Sequence, residues 1–156
     1  MKNAKKYLQI LLIILIVCTI AFIFNNSLMP PDESGEQSSA VAGLIEKIFP
    51  AHTSLGAFIQ KYIRKIAHFA EYGLLGVEIA LYVIFYSENK HKSALINTLT
   101  PFAVGFADET IQIFSGRGPQ IVDVWIDASG FITCSAITYA IFAIVFAIKG
   151  NVGRKS

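Results

Sequence analysis

The sequence predicts an all-α polytopic membrane protein: a single domain over residues 1–156 with four transmembrane helices and an outer-face interfacial helix between the first and second. Three observations predict it. Hydrophobic residues make up 54% of the chain against 15% charged, and mean hydropathy is +0.55, too few polar residues to cover a soluble domain of this length. The apolar residues come in long runs rather than alternating with polar ones. Short polar segments marked by glycine or proline separate those runs. The net charge of +2, with no basic stripe interleaved with aromatics, excludes a nucleic-acid partner. Cys18 and Cys134 both sit inside apolar runs and read as small packing residues, not as a disulfide or a zinc site.

The first span covers about 7–24, an uncharged run behind a basic start. At about 1.5 Å per residue it nearly crosses a ~30 Å hydrocarbon core. It is long for the apolar region of a signal peptide, and no small-x-small site follows, so it reads as an uncleaved anchor. Residues 25–65 form the outer loop. Within it Ser34 and Gln37 have capping-box spacing, and Val41, Leu44, Ile45 and Ile48 share a helical face opposite Glu46 and Lys47, as an interfacial helix would. A second helix runs from Ser54 to about Tyr86 and lies in the membrane over 66–86. Ala67, Ala70, Gly73 and Gly76 give it a seam of small residues. Residues 87–92 make a polar turn. The third span is 93–114, with a kink expected at Pro101. A Gly/Pro-marked turn follows, and the fourth span is 124–148.

Orientation follows from the basic segments. Lys2, Lys5 and Lys6, then Lys90 and Lys92, then Lys149, Arg154 and Lys155 fall on one side of an even number of spans. The positive-inside rule makes that side the cytoplasm and places both termini there.

Chemistry is expected where polar groups enter the membrane. His68, Glu71, Glu78, Asp108, Glu109 and Asp127 fall within predicted spans, where an unpaired charge costs roughly 2.5–3.5 kcal/mol. Counted from the helix ends, His68, Glu71, Asp108, Glu109, Gln112 and Asp127 lie about 3–9 Å below the outer surface, with Asp123 at the surface. Three helices thus bring polar groups to one depth. Arg64, His68, Glu71 and Glu78 share one face of the second helix, Asp108 pairs in phase with Gln112, and Asp123 with Asp127. Arg117 in the outer turn can fold over the cluster. An ion-pair network that merely staples the bundle would use the same spacing.

At these residues the chain resembles the VanZ family of bacterial membrane proteins. The matching segments are FNNSLMPPDESGEQS, YIRKIAHFAEYGLLG and ADETIQIFSGRGPQIVDVWIDASG, in the right order from Phe24 to Gly130. The resemblance implies a protein of the bacterial cell envelope, in the plasma membrane, with an association to resistance against the glycopeptide teicoplanin. It implies Arg64, Lys65, His68, Glu71, Tyr72, Asp108, Glu109, Gln112, Arg117, Asp123 and Asp127 as motif positions.

Two functional classes follow. In the first, the chain is an enzyme acting on a lipid headgroup in the outer leaflet, a phospholipid or a polyprenyl-phosphate-linked wall precursor. His68 is then general base or nucleophile, oriented by Glu71, Asp108 or Glu109. Among such crowded acids one is expected to stay protonated as a general acid. Arg64 and Arg117 fork onto phosphate, with Tyr72, Gln112, Asp123 and Asp127 lining the substrate. In the second, the same cavity binds a lipid or precursor and shields it without reacting. A third possibility is an oxygen-only magnesium or calcium site on Asp108, Asp123 and Asp127. No known metal-motif spacing is present, so neither metal nor cofactor is expected. A proton-coupled transporter would need acids in the inner half, where only Glu78 stands.

Overall fold

Long uncharged stretches have nowhere to satisfy their backbone in lipid except within a helix, and helices dominate this chain. The computed structural model describes residues 2–30, 43–50, 52–116 and 120–152. Four long helices follow in order: α1 (Lys2–Leu28), α2 (Ser54–Tyr86), α3 (Lys90–Phe114) and α4 (Ile121–Val152). Among the described residues there is no strand.

Local capping fixes the boundaries. Thr53 Oγ1 accepts from Gly56 N at 3.0 Å and opens α2. Asn89 Oδ1 accepts from the backbone of His91 and Lys92 and opens α3, so the expected six-residue turn shrinks to residues 87–89. The first helix does not stop at Phe24. It runs through Asn25, Asn26 and Ser27 to Leu28, because the Asn26 and Ser27 side chains find partners on α2 and α3. The loop expected over 25–65 is therefore helical at both ends.

Among the described residues three helices are long and apolar enough to cross a membrane: Ala4–Leu28, Ser54–Tyr86 and Ile121–Gly150. α3 has similar length but carries Asn97, Asp108, Glu109 and Gln112 along it, and it is less apolar for that reason. It continues through Pro101, which is buried. Of the expected interfacial helix, residues 43–46 form one helical turn, and Leu44 and Ile48 are exposed. Pro50 stops any longer helix. Ser34, Gln37 and Val41 lie outside the described residues.

The most extensive contact joins α2 to α4, and glycines make it. A Cβ at Gly76 would collide with the Phe131 carbonyl, and one at Gly130 with the Phe69 carbonyl. A Cβ at Gly73 would stand 2.8 Å from Cys134 Sγ. Ala67 and Ala70 are exposed, so the small-residue seam is confined to Gly73 and Gly76 and completed from α4 by Gly130. Ile23, Tyr72, Leu75, Ile79, Val104 and Phe131 form the apolar core. Large apolar side chains point outward along all four helices, as lipid contact requires.

Candidate functional site

The end of the bundle where α1 and α3 finish and α4 begins is polar inside. His68, Asp108, Asp127, Gln112, Glu109, Asp123, Tyr72 and Ser27 are all buried there.

His68 is central. Five residues before the Gly73–Cys134 contact, α2 turns His68 toward α3 and α4. Its Nδ1 lies 3.4 Å from Asp127 Oδ1 and 3.9 Å from Asp108 Oδ2. Both separations are in ion-pair range, but neither is aligned as a hydrogen bond. His68 Nδ1 and both Asp127 oxygens are buried without a hydrogen-bond partner, as is the Tyr72 hydroxyl. Asp108 and Asp127 have no exposed surface. One ligand-type atom from each of His68, Asp108 and Asp127 lies within 4.8 Å of the others.

Around this trio stands a hydrogen-bonded frame. Ser27 Oγ donates to Asp108 Oδ1. Gln112 Nε2 faces Asp108 Oδ2 at 3.2 Å, Glu109 Oε1 at 3.3 Å and Ser27 Oγ at 3.5 Å. Arg64 Nη2 donates to Gln112 Oε1 at 3.3 Å. Ser115 Oγ donates to the Ser27 carbonyl at 2.9 Å, which ties the end of α1 to the end of α3. Glu109 Oε2 accepts from Gln120 N at 2.7 Å, placing a carboxylate at the start of α4, where the helix dipole favours it. Lys65 Nζ meets Asp123 Oδ1 at 3.2 Å with the lysine partly exposed, a contact of the kind worth about 0–1 kcal/mol.

The sequence-derived residues within the described segments are thus brought to one end of the bundle, and of the three carboxylates expected to orient His68 it is Asp108 that faces it. Glu71 does not orient His68. Its Oε1 accepts from Asn26 Nδ2 at 2.9 Å on α1, while the imidazole faces Asp127 and Asp108. Steps of 100° per residue explain the split: Glu71 and Glu78 form one stripe toward α1, and His68 sits about 60° away toward α3 and α4. Asp123, expected beside Asp108 and Asp127, is engaged by Lys65 instead. Arg117 lies outside the described residues. To these the structure adds Asn26, Ser27 and Thr19. The run of polar side chains at 25–27, inside one of the family-like segments, was the available signal for two of them.

Glu78 gains an account. Thr19 Oγ1 donates to its Oε1 at 3.0 Å. Both residues line a groove of about 490 Å³ between α1 and α2, with Leu15, Cys18, Phe22, Glu71 and Leu74. Its walls are mostly apolar and it opens sideways, and Glu71 joins it to the polar end.

A family model described as VanZ/LLP1 matches residues 12–145, which include every residue of this polar end. No curated protein and no solved structure matches the chain.

Proposed function

The chain belongs to the VanZ/LLP1 family, and from that premise and the geometry of the polar end we propose an intramembrane enzyme that acts on the headgroup of a lipid in the outer leaflet. The substrates of this reading are membrane lipids that carry phosphate, polyprenyl-phosphate-linked wall precursors among them. In this reading α3 is the fourth span, both termini face the cytoplasm, and the polar end lies under the outer surface. Basic residues at 2, 5, 6, 90, 92 and 149 support that orientation.

One observation carries the reading: a buried imidazole faces two fully buried carboxylates, next to a side-opening groove that Glu71 shares. Interior polar groups this costly to bury in a membrane mark working sites more often than staples. The groove suits an acyl or isoprenyl chain entering from the lipid. Its headgroup then meets Arg64, and the sequence offers Arg117 three residues after α3 as a second guanidinium suited to forked contact with phosphate oxygens. His68 is the side chain through which a proton can be accepted and returned near neutral pH, with Asp127 and Asp108 orienting it. Glu109 and Gln112 brace the frame that holds Asp108 and the start of α4.

The test uses purified protein in vesicles carrying candidate phospholipids and polyprenyl phosphates, with headgroups followed by mass spectrometry. Wild type should convert one of them. His68→Gln should still bind lipid and convert none, because glutamine hydrogen-bonds but does not carry a proton at this pH. Unchanged lipids with wild type, and intact lipid binding by both proteins, would leave a binding protein in place of an enzyme.

A further inference from the structure

The geometry points to a divalent cation held by His68 Nδ1, Asp108 and Asp127 at the polar end of the bundle. The inference rests on the reading that this trio is the working centre, but not on which lipid it meets.

Spacing is the first argument. Two donors bound to one ion at about 2.0–2.2 Å stand about 3–3.5 Å apart at right-angled to tetrahedral openings, and about 4 Å apart at wider ones. His68 Nδ1 is 3.4 Å from Asp127 Oδ1 and 3.9 Å from Asp108 Oδ2. These separations are too long or too poorly aligned for hydrogen bonds, yet they match edges of a coordination polyhedron. The three ligand-type atoms share a space 4.8 Å across.

The second argument is the unmet bonding capacity aimed into that space. Asp127 is wholly buried and neither of its oxygens has a hydrogen-bond partner. His68 Nδ1 lacks one as well. Buried polar atoms are rarely left so, and one shared cation would satisfy both His68 Nδ1 and the Asp127 oxygen that faces it. Charge agrees: a neutral imidazole and two carboxylates together balance the charge of a single divalent cation, and among the described residues no lysine or arginine pairs with either carboxylate. The fourth argument is the outer layer. Ser27 and Gln112 hydrogen-bond Asp108, the arrangement that fixes a ligating carboxylate.

One nitrogen with carboxylate oxygens suits zinc, manganese or cobalt better than magnesium or calcium, which favour oxygen alone. This set differs from the oxygen-only trio in the sequence by one member, His68 in place of Asp123. Were the cation bound, Nδ1 would be one of its ligands and the ion would supply an activated water, so the loss of turnover expected of His68→Gln would then report loss of the ion.

Cobalt(II) titration of the purified full chain in detergent, without substrate, reads the site directly through its visible absorption bands, with zinc and manganese as competitors. Wild type should take up one ion per chain. Asp127→Asn and His68→Gln should each weaken uptake by at least about tenfold, and Ser27→Ala by about tenfold through Asp108. Asp123→Asn should bind as wild type does. Circular dichroism confirms that each variant keeps its helices, and Ser27→Ala stands in for any that does not. Absence of uptake by wild type overturns the inference, as does uptake that survives His68→Gln but fails in Asp123→Asn. Because no lipid enters the titration, its failure leaves the headgroup assay standing, and a failed headgroup assay leaves the cation site standing.

Discussion

Gly130→Ala should loosen the bundle and disable the site together. Gly130 follows Asp127 by three residues on α4 and faces Phe69, the neighbour of His68 on α2. A Cβ there would stand 3.0 Å from the Phe69 carbonyl carbon and 3.1 Å from its Cα, and closer still to the carbonyl oxygen. Carbon atoms in contact prefer about 3.5–4.0 Å, so α2 and α4 must part by about 0.5–1 Å. Backbone atoms cannot swing aside as a side chain would. The same parting stretches the 3.4 Å separation of His68 and Asp127 to about 4 Å. Overpacking of this kind costs about 1–3 kcal/mol. Alanine's better helix propensity returns up to about 1 kcal/mol. Gly105→Ala supplies the control, because its Cβ would meet Val124 Cγ1 at 3.4 Å and Asp127 Oδ2 at 3.8 Å, ordinary contact distances. It receives the same propensity gain without the collision. The assay is denaturant unfolding in detergent micelles, read by circular dichroism, beside headgroup turnover. Gly130→Ala should unfold about 1–3 kcal/mol more easily than Gly105→Ala and lose turnover. Equal stability of the two would refute the claim that backbone contact at this glycine sets the spacing of the site.

Thr19→Val should destabilise by about 0.5–1.5 kcal/mol in the same unfolding assay, since it removes the donor to Glu78 Oε1. Thr19→Val with Glu78→Leu should recover most of that loss, because a pair removed whole leaves no unmet acceptor. Arg117→Lys should abolish turnover in the vesicle assay: lysine keeps the charge and loses the fork, and Gly116 beside it holds φ at +76°, a turn shape reserved for glycine. Turnover that survives Lys but not Ala would reduce Arg117 to a positive field. With Cys18 and Cys134 replaced, a cysteine placed at Ser38 should react with an impermeant thiol reagent in intact cells, and one at Ser156 should not. Labelling only at 156 would move the polar end to the inner leaflet.

Much of this could be read in the sequence because the bilayer makes polar residues conspicuous. His68, Asp108, Gln112 and Asp127 stood out as polar groups at one depth on three helices, and the structure gathers them. What the sequence could not give was direction around each helix. Glu71 is three residues from His68 and looks like its partner, yet a 60° offset hands it to Asn26 on another helix. Asp123 and Asp127 share a face, but Lys65 claims the first and leaves the second to His68. Asn26 and Ser27 read as loop because polar residues after an apolar run usually end a span. Here partners on α2 and α3 carry the helix one turn further. Glu78 had no partner in sight, since nothing local marks Thr19 as facing it. Polarity and depth are written residue by residue, whereas pairing is decided between helices.

The central claim is that the polar end works on a lipid headgroup, and it is tested most directly by comparing the lipids of living cells. Three strains suffice: one lacking the protein, one expressing it, and one expressing His68→Gln at equal level in the membrane. Quantitative mass spectrometry of phospholipids and polyprenyl phosphates should find at least one headgroup species whose abundance changes with the wild-type protein and stays at the deletion level with His68→Gln. Identical lipid profiles in all three strains would contradict the claim.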